Sequence, residues 1–263
     1  MPSLVLSFMQ PQNSKVLAFV FGGKNDGKCL YSVDDDSGKQ KIVLDKDEMF
    51  IFEPSEKDRF ILSTGAASGS GKSTQLLNIA LRYHFLFPKR PIVLVSRLNE
   101  DETLDKAKFI KRINIDSLLE KQFELNEFPI GGLVIVDDVE GLDKQREAAV
   151  QNMVDIILTQ GRHQNVSLLH SSHLLTNGHK TRLLLNESHA YLIFPQATSF
   201  MQINYLLSKY AGLDTKQIKE IRDIPSRWVL VTRRYPTCII SDKMAYLPHS
   251  YVSTKENNNK KLF

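Results

Sequence analysis

Apolar residues fall in two patterns along this chain. Short unbroken runs lie at residues 60–64, 92–96, 133–136, 166–170 and 190–194. Between them lie stretches where apolar positions return every three or four residues. One covers about 73–85. Another covers about 144–159, where Val150, Met153, Val154, Ile157 and Leu158 share a face and Gly161 follows. Runs without alternation suit strands buried on both faces, and the amphipathic stretches suit the helices that cover them. The pattern predicts an α/β fold with a central, mostly parallel sheet flanked by helices.

The two ends read differently. Residues 1–58 are β-rich, with strand candidates at 16–21, 41–44 and 49–52, and a loop at 22–27. After the last apolar run, a helix is predicted over 199–213, closed by Gly212. Asp214 and Gln217 then form a capping-box pattern for another. Runs at 228–232 and 237–241 flank Tyr235-Pro236 and predict a hairpin. The predicted organisation is a β-rich segment 1–58, a core domain 59–252, and a polar tail 253–263 expected to be disordered.

Composition narrows this little. The chain has 263 residues with 42% hydrophobic content, enough for one domain with a full core. Thirty-four basic residues against thirty acidic ones give +4. That is compatible with nucleic acid but does not argue for it alone. Two distant cysteines, Cys29 and Cys238, have no metal-type spacing and suit a reducing compartment. The first residues lack the basic and apolar regions of a signal peptide, and no apolar segment approaches membrane-spanning length, so a soluble protein is expected.

The run at 60–64 leads into Gly65-Ala66-Ala67-Ser68-Gly69-Ser70-Gly71-Lys72-Ser73-Thr74, and the amphipathic stretch follows. Strand, glycine-rich loop and helix ending in Gly-Lys-Ser make a phosphate-binding loop. Backbone N–H groups must wrap phosphates closely, which needs small residues: Ala67, Ser68, Gly69, Ser70 and Gly71. Lys72 should reach the β- and γ-phosphates, Ser73 should ligate Mg²⁺, and Thr74 completes the motif. The expected ligands are therefore ATP and Mg²⁺. Ala66 stands where the strict pattern has glycine, and Gly65 comes one position early.

Asp137 ends the run at 133–136, so it should lie at the ligand edge of the sheet and hold Mg²⁺. Asp138 follows as the candidate general base for water. Glu140 is the alternative, or Asp138 only caps the next turn. A polar group, His170-Ser171-Ser172-His173, ends the neighbouring run, and His173 is the candidate sensor of the nucleotide. His163, His170 and His173 form no recognisable metal set, because no cysteine or carboxylate completes a known spacing. The guanine-specifying Asn-Lys-x-Asp is absent, as is the Leu-Ser-Gly-Gly of transporter ATPases.

Taken together, the loop 65–74, Val95-Ser96-Arg97 with Asp101-Glu102, the run ending in Asp137-Asp138, Gly161-Arg162-His163 with Asn165-Val166-Ser167, and Ser172-His173 carry a resemblance. They resemble the genome-packaging ATPases of large DNA viruses, the poxvirus-type branch of the FtsK–HerA superfamily. The likeness spans about residues 59–245 and includes Asn186-Glu187-Ser188-His189. Family members commonly carry glutamine where His173 stands. The resemblance implies a P-loop NTPase of the additional-strand, catalytic-acid type. It also implies a homo-oligomeric ring of five or six subunits that moves double-stranded DNA and meets a viral capsid or portal vertex. An arginine from the neighbouring subunit would then complete the ATP site, with Arg162 as first candidate and Arg146 and Arg182 as alternatives. A loop at 179–182, His179-Lys180-Thr181-Arg182, is a candidate DNA contact. The implied location is the host cytoplasm, a viral factory or the virion.

The expected function is an Mg-ATP-driven double-stranded DNA translocase that packages a viral genome. Three rivals share the loop: a small-molecule or nucleoside kinase, an ATP-binding assembly factor without turnover, and a cellular plasmid or chromosome pump.

Overall fold

The computed structural model describes residues 1–248, so the predicted tail lies outside the described residues. Six strands run parallel at the heart of the fold: β6 (Ile61–Gly65), β7 (Ile92–Ser96), β8 (Ile110–Ile113), β9 (Leu133–Asp137), β10 (Ser167–Ser172) and β11 (Ala190–Ile193). Antiparallel β12 (Val229–Thr232), β13 (Ile239–Ser241), β14 (Met244–Tyr246) and β4 (Lys41–Val43) extend one edge. The sheet order is β4-β14-β13-β12-β11-β6-β10-β9-β7-β8. The central strands are buried along nearly their whole length, which is why their sequences do not alternate.

Helices cover both faces. On one, α1 (Lys72–Leu86) packs Leu76, Ile79, Ala80 and Tyr83 against Leu62, Leu94, Ile135 and Leu169. On the other, α3 (Lys144–Gln160) and α4 (Gly178–Glu187) cover Ile61, Val134, Val136 and Leu168. Beside them, α5 (Phe200–Tyr210) and α6 (Thr215–Arg222) cover Tyr191, Ile193, Val229 and Ile239. A one-turn helix, α2 (Ser117–Glu120), follows β8. The fold class expected from the apolar pattern is the one observed. The predicted capping box is present in full, with Asp214 accepting from Gln217 N–H and Gln217 reaching back to Asp214.

The first residues build a second sheet of β1 (Ser3–Ser7), β3 (Cys29–Val33), β2 (Ser14–Phe21) and β5 (Met49–Phe52), in that order. It docks on α1 through a buried bidentate ion pair. Arg82 donates to both carboxylate oxygens of Glu53, at 2.5 and 2.8 Å, while its guanidinium stacks 3.8 Å from the Phe19 ring. From the same stretch, β4 leaves to pair with β14 in the main sheet. Four strands escaped the sequence reading. These are β1 and β3, which are short and serine-bearing, the three-residue β14, and β8, whose Ile-Lys-Arg-Ile is a half-exposed edge strand. Residues 179–182, expected as a loop, form the first turns of α4, because Thr181, Leu184 and Leu185 give that segment a buried helical face.

Candidate active site

Parallel strands bring their C-terminal ends to one edge of the sheet, and the predicted residues gather there. β6 delivers the glycine-rich loop, β9 delivers Asp137 and Asp138, and β10 delivers Ser172 and His173. The loop is held from both sides. Ala66 N–H donates to Ser172 O and Ala67 N–H to Ala197 O, and the Thr198 hydroxyl donates to Gly65 O at 3.0 Å. Gly69 and Gly71 take φ of +74° and +101°, where a side chain would be strained. Lys72 is buried and folds back onto the loop, its Nζ 2.8 Å from Ala66 O and 3.2 Å from Ala67 O.

The early glycine has its own cause. A Cβ on Gly65 would lie 2.4 Å from the backbone of Leu175, so the glycine admits the chain that follows β10. Ala66 is buried and needs no such freedom. The departure from the strict motif thus reflects two different demands on adjacent positions.

Asp137 is 2% exposed and lies against the helix start, where the Ser73 hydroxyl donates to its Oδ2 at 3.3 Å. Burial pushes its carboxyl above the usual range, the nearby Asp138 charge pushes the same way, and the Ser171 and Ser73 hydroxyls pull back. Among the described residues, Asp137 Oδ1 and the buried Ser70 hydroxyl have no hydrogen-bond partner. A buried carboxylate facing a helix-start hydroxyl, with a free oxygen, is a donor set suited to a hard divalent cation, so these residues fit Mg²⁺.

Asp138 sits one residue further, at φ +49°, a left-handed conformation that aspartate tolerates better than most residues. Its side chain meets the residue that follows β10. His173 Nε2 lies 3.3 Å from Asp138 Oδ1, and the His173 N–H donates to Glu140 Oε1 at 2.7 Å. The three side chains can converge on one cation. The carboxylates missing from the histidine spacing in the sequence are supplied across strands. Arg97 N–H donates to Asp138 O, tying the end of β7 to the same turn.

The arginines divide. Arg162 lies in a one-turn 3₁₀ segment, Gly161–Gln164, before β10. It is therefore at the N-terminal edge of the sheet, about 16 Å from the loop if β6 is counted at 3.3 Å per residue. It cannot reach its own chain's glycine-rich loop. Arg146 is bound to Asp116 at 2.7 Å and to Asp143 at 2.6 Å, and Arg182 lies on the exposed side of α4. One arginine that the sequence reading missed lies at the loop itself. The Cδ of Arg227 is 3.6 Å from where a Cβ on Gly71 would stand. It is exposed, and its neighbours are pinned: the Ser226 hydroxyl donates to Trp228 O at 2.8 Å, and Trp228 is buried. Nothing in the sequence marks it, because β12 reaches this edge only by running antiparallel to β11.

No family model matches the chain. Protein V3 of Sputnik virophage, which is uncharacterized, is 33% identical over 246 residues, covering 92% of this chain and 99% of that protein. The chain belongs to the family of that virophage protein. Among solved structures, the cytoplasmic domain of the type VII secretion ATPase EccC of Thermomonospora curvata is 16% identical. It superposes at TM-score 0.52 over 81% of this chain, which spans only 29% of the EccC chain. B204, the DNA-packaging ATPase of Sulfolobus turreted icosahedral virus, is 13% identical at TM-score 0.48, over 73% of this chain and 100% of its own. The fold of this virophage-family chain is that of the P-loop NTPases. No helix among the described residues is long and apolar enough to cross a membrane.

Proposed function

We propose that this chain is an Mg-ATP-hydrolysing, double-stranded DNA translocase that packages a viral genome into its capsid, working as a homo-oligomeric ring. The observation that carries the hydrolytic part is the meeting, at one sheet edge, of Lys72 on the loop, Ser73 against Asp137, and Asp138 against His173. The packaging part is supported by the motif resemblance and by membership in a virophage protein family.

In this reading the backbone N–H groups of residues 67–74 receive the phosphates, and Lys72 leaves its two carbonyls to neutralise the β- and γ-oxygens. Ser73 and Asp137 would hold Mg²⁺, which supplies charge neutralisation on the phosphates. Asp138 accepts a proton from the attacking water as its oxygen bonds to the γ-phosphorus. The bond to the bridging oxygen breaks, and its electron pair stays on ADP. His173 orients Asp138 and reports the γ-phosphate to the chain leading into α4. Arg227, whose Cδ lies beside Gly71, would add positive charge from the same chain. Arg162, at the far edge, serves only a neighbour's site.

Asp138→Asn keeps the shape and removes the base. Turnover should fall by about 10²-fold or more with nucleotide binding retained. Unchanged phosphate release would move the role to Glu140 or end it. Mixing Arg162→Ala with Lys72→Ala subunits should partly restore activity lost in each alone. A mixture as inactive as its components would remove Arg162 from the site.

A further inference from the structure

α4 and α5 carry positive charge that the fold itself does not use. Between their exposed sides runs a cleft of about 450 Å³ lined by His179, Arg182, Asn186, Tyr205, Lys209 and Tyr210, with no carboxylate among the lining residues. Neither Arg182 nor Lys209 forms an ion pair among the described residues. Lys180, two residues before Arg182 and on the other side of the helix, is bonded to Glu147 of α3 at 2.5 Å. The larger polar cleft at the ends of β7 and β8 differs, because its Arg112 and Arg146 are already paired with Asp105, Asp116 and Asp143. The two tyrosines meet edge to face with ring centroids 6.1 Å apart, and Tyr205 is 49% exposed. Two unpaired cations, two phenol hydroxyls, an amide and an imidazole are donors without a local acceptor of matching charge.

We propose that this cleft seats the phosphodiester backbone of double-stranded DNA, an assignment that rests on the translocase reading above. Backbone phosphates are the ligand such donors suit: Arg and Lys supply charge, Tyr and Asn supply hydrogen bonds, and none of it reads sequence. A motor that must move any sequence needs contacts of this kind.

The position also connects the cleft to the nucleotide. α4 begins five residues after His173. The intervening chain is fixed to α5, because Leu175 N–H donates to Gln202 Oε1 at 2.9 Å, and to β6 by its close approach at Gly65. A displacement of the sensor chain therefore moves one wall of the cleft against the other.

The test is a titration of labelled double-stranded DNA by fluorescence anisotropy across a salt series. Wild type, Arg182→Ala/Lys209→Ala, Lys209→Gln alone, and Lys89→Ala (an exposed lysine on the opposite face) are compared, with thermal unfolding as the check on folding. The double variant should bind about tenfold or more weakly at low salt. The slope of log affinity against log salt should become shallower by about two, about one for each lost phosphate contact. Lys209→Gln should show about half that change in slope, and Lys89→Ala none. Equal affinity and slope in wild type and the double variant, or an equal loss in Lys89→Ala, would overturn the assignment while leaving the translocase reading intact. Wild type that binds a non-hydrolysable ATP analogue but no DNA would sink the translocase reading, and this one with it.

Discussion

At the scale of single residues, the site is a set of costs that ligands relieve. Asp137 is buried with its carboxyl pushed upward, so its charged form weakens the fold at neutral pH and that cost fades as the pH falls through its raised value. Asp137→Asn should therefore unfold at a higher temperature than wild type in metal-free buffer. Mg²⁺ with nucleotide should raise the wild-type midpoint and leave the variant's nearly unchanged. Equal Mg²⁺ responses would remove Asp137 from the proposed Mg²⁺ site. His189 shows the opposite logic. Its Nδ1 accepts the Ile61 N–H at 3.0 Å, and burial, with Arg234, Arg59 and Arg233 nearby, lowers its pKa to about 3. The unfolded chain takes up that proton near pH 6.5 and the folded one does not. This group's stability is complete above pH 6.5 and is lost progressively down to about pH 3. The urea midpoint of wild type should drop between pH 7 and 4.5 by more than that of His189→Gln, and parallel curves would refute the assignment. Gly65→Ala places a Cβ against the Leu175 backbone and should cost about 2 kcal/mol in urea unfolding, with the sensor chain displaced.

Elements are where sequence and structure separate most clearly. The five central strands and α1, α3, α5 and α6 were legible because each is a full-length apolar run or a complete helical face, and a buried element has no other way to be written. That the glycine-rich loop, Asp137 and Asp138 share one edge was legible for a related reason: a parallel strand has one C-terminal end, so a motif there has only one place to be. The rest depends on contacts between distant segments. Strand β8 is an edge with one neighbour, and its lysine and arginine hide it. Helix α4 has only three buried positions and looked like a polar loop. Arg227 gains its place from an antiparallel return that no local pattern announces. The docking of the second sheet depends on Glu53 and Arg82, 29 residues apart and unremarkable in the chain. Their side chains are 8% and 16% exposed, so Glu53→Ala leaves a buried guanidinium without its partner. That change should cost about 3 kcal/mol and open residues 1–52 to protease before the core. Intact resistance together with wild-type stability would mean that the apolar contacts with α1 hold this sheet by themselves.

Across the whole molecule, one sheet edge holds the candidate chemistry and the opposite edge holds Arg162, His189 and the arginines that cap α3 and α4, Arg59 and Arg233. In the proposed ring, such polarity would let each site meet a neighbour's far edge. The central claim is that ATP turnover at the Lys72 loop is coupled to DNA. Phosphate release from ATP, with and without double-stranded DNA, for wild type and Lys72→Ala, tests it most directly. The account predicts turnover that DNA stimulates in wild type and that Lys72→Ala abolishes. Turnover indifferent to DNA, or retained without Lys72, would contradict it.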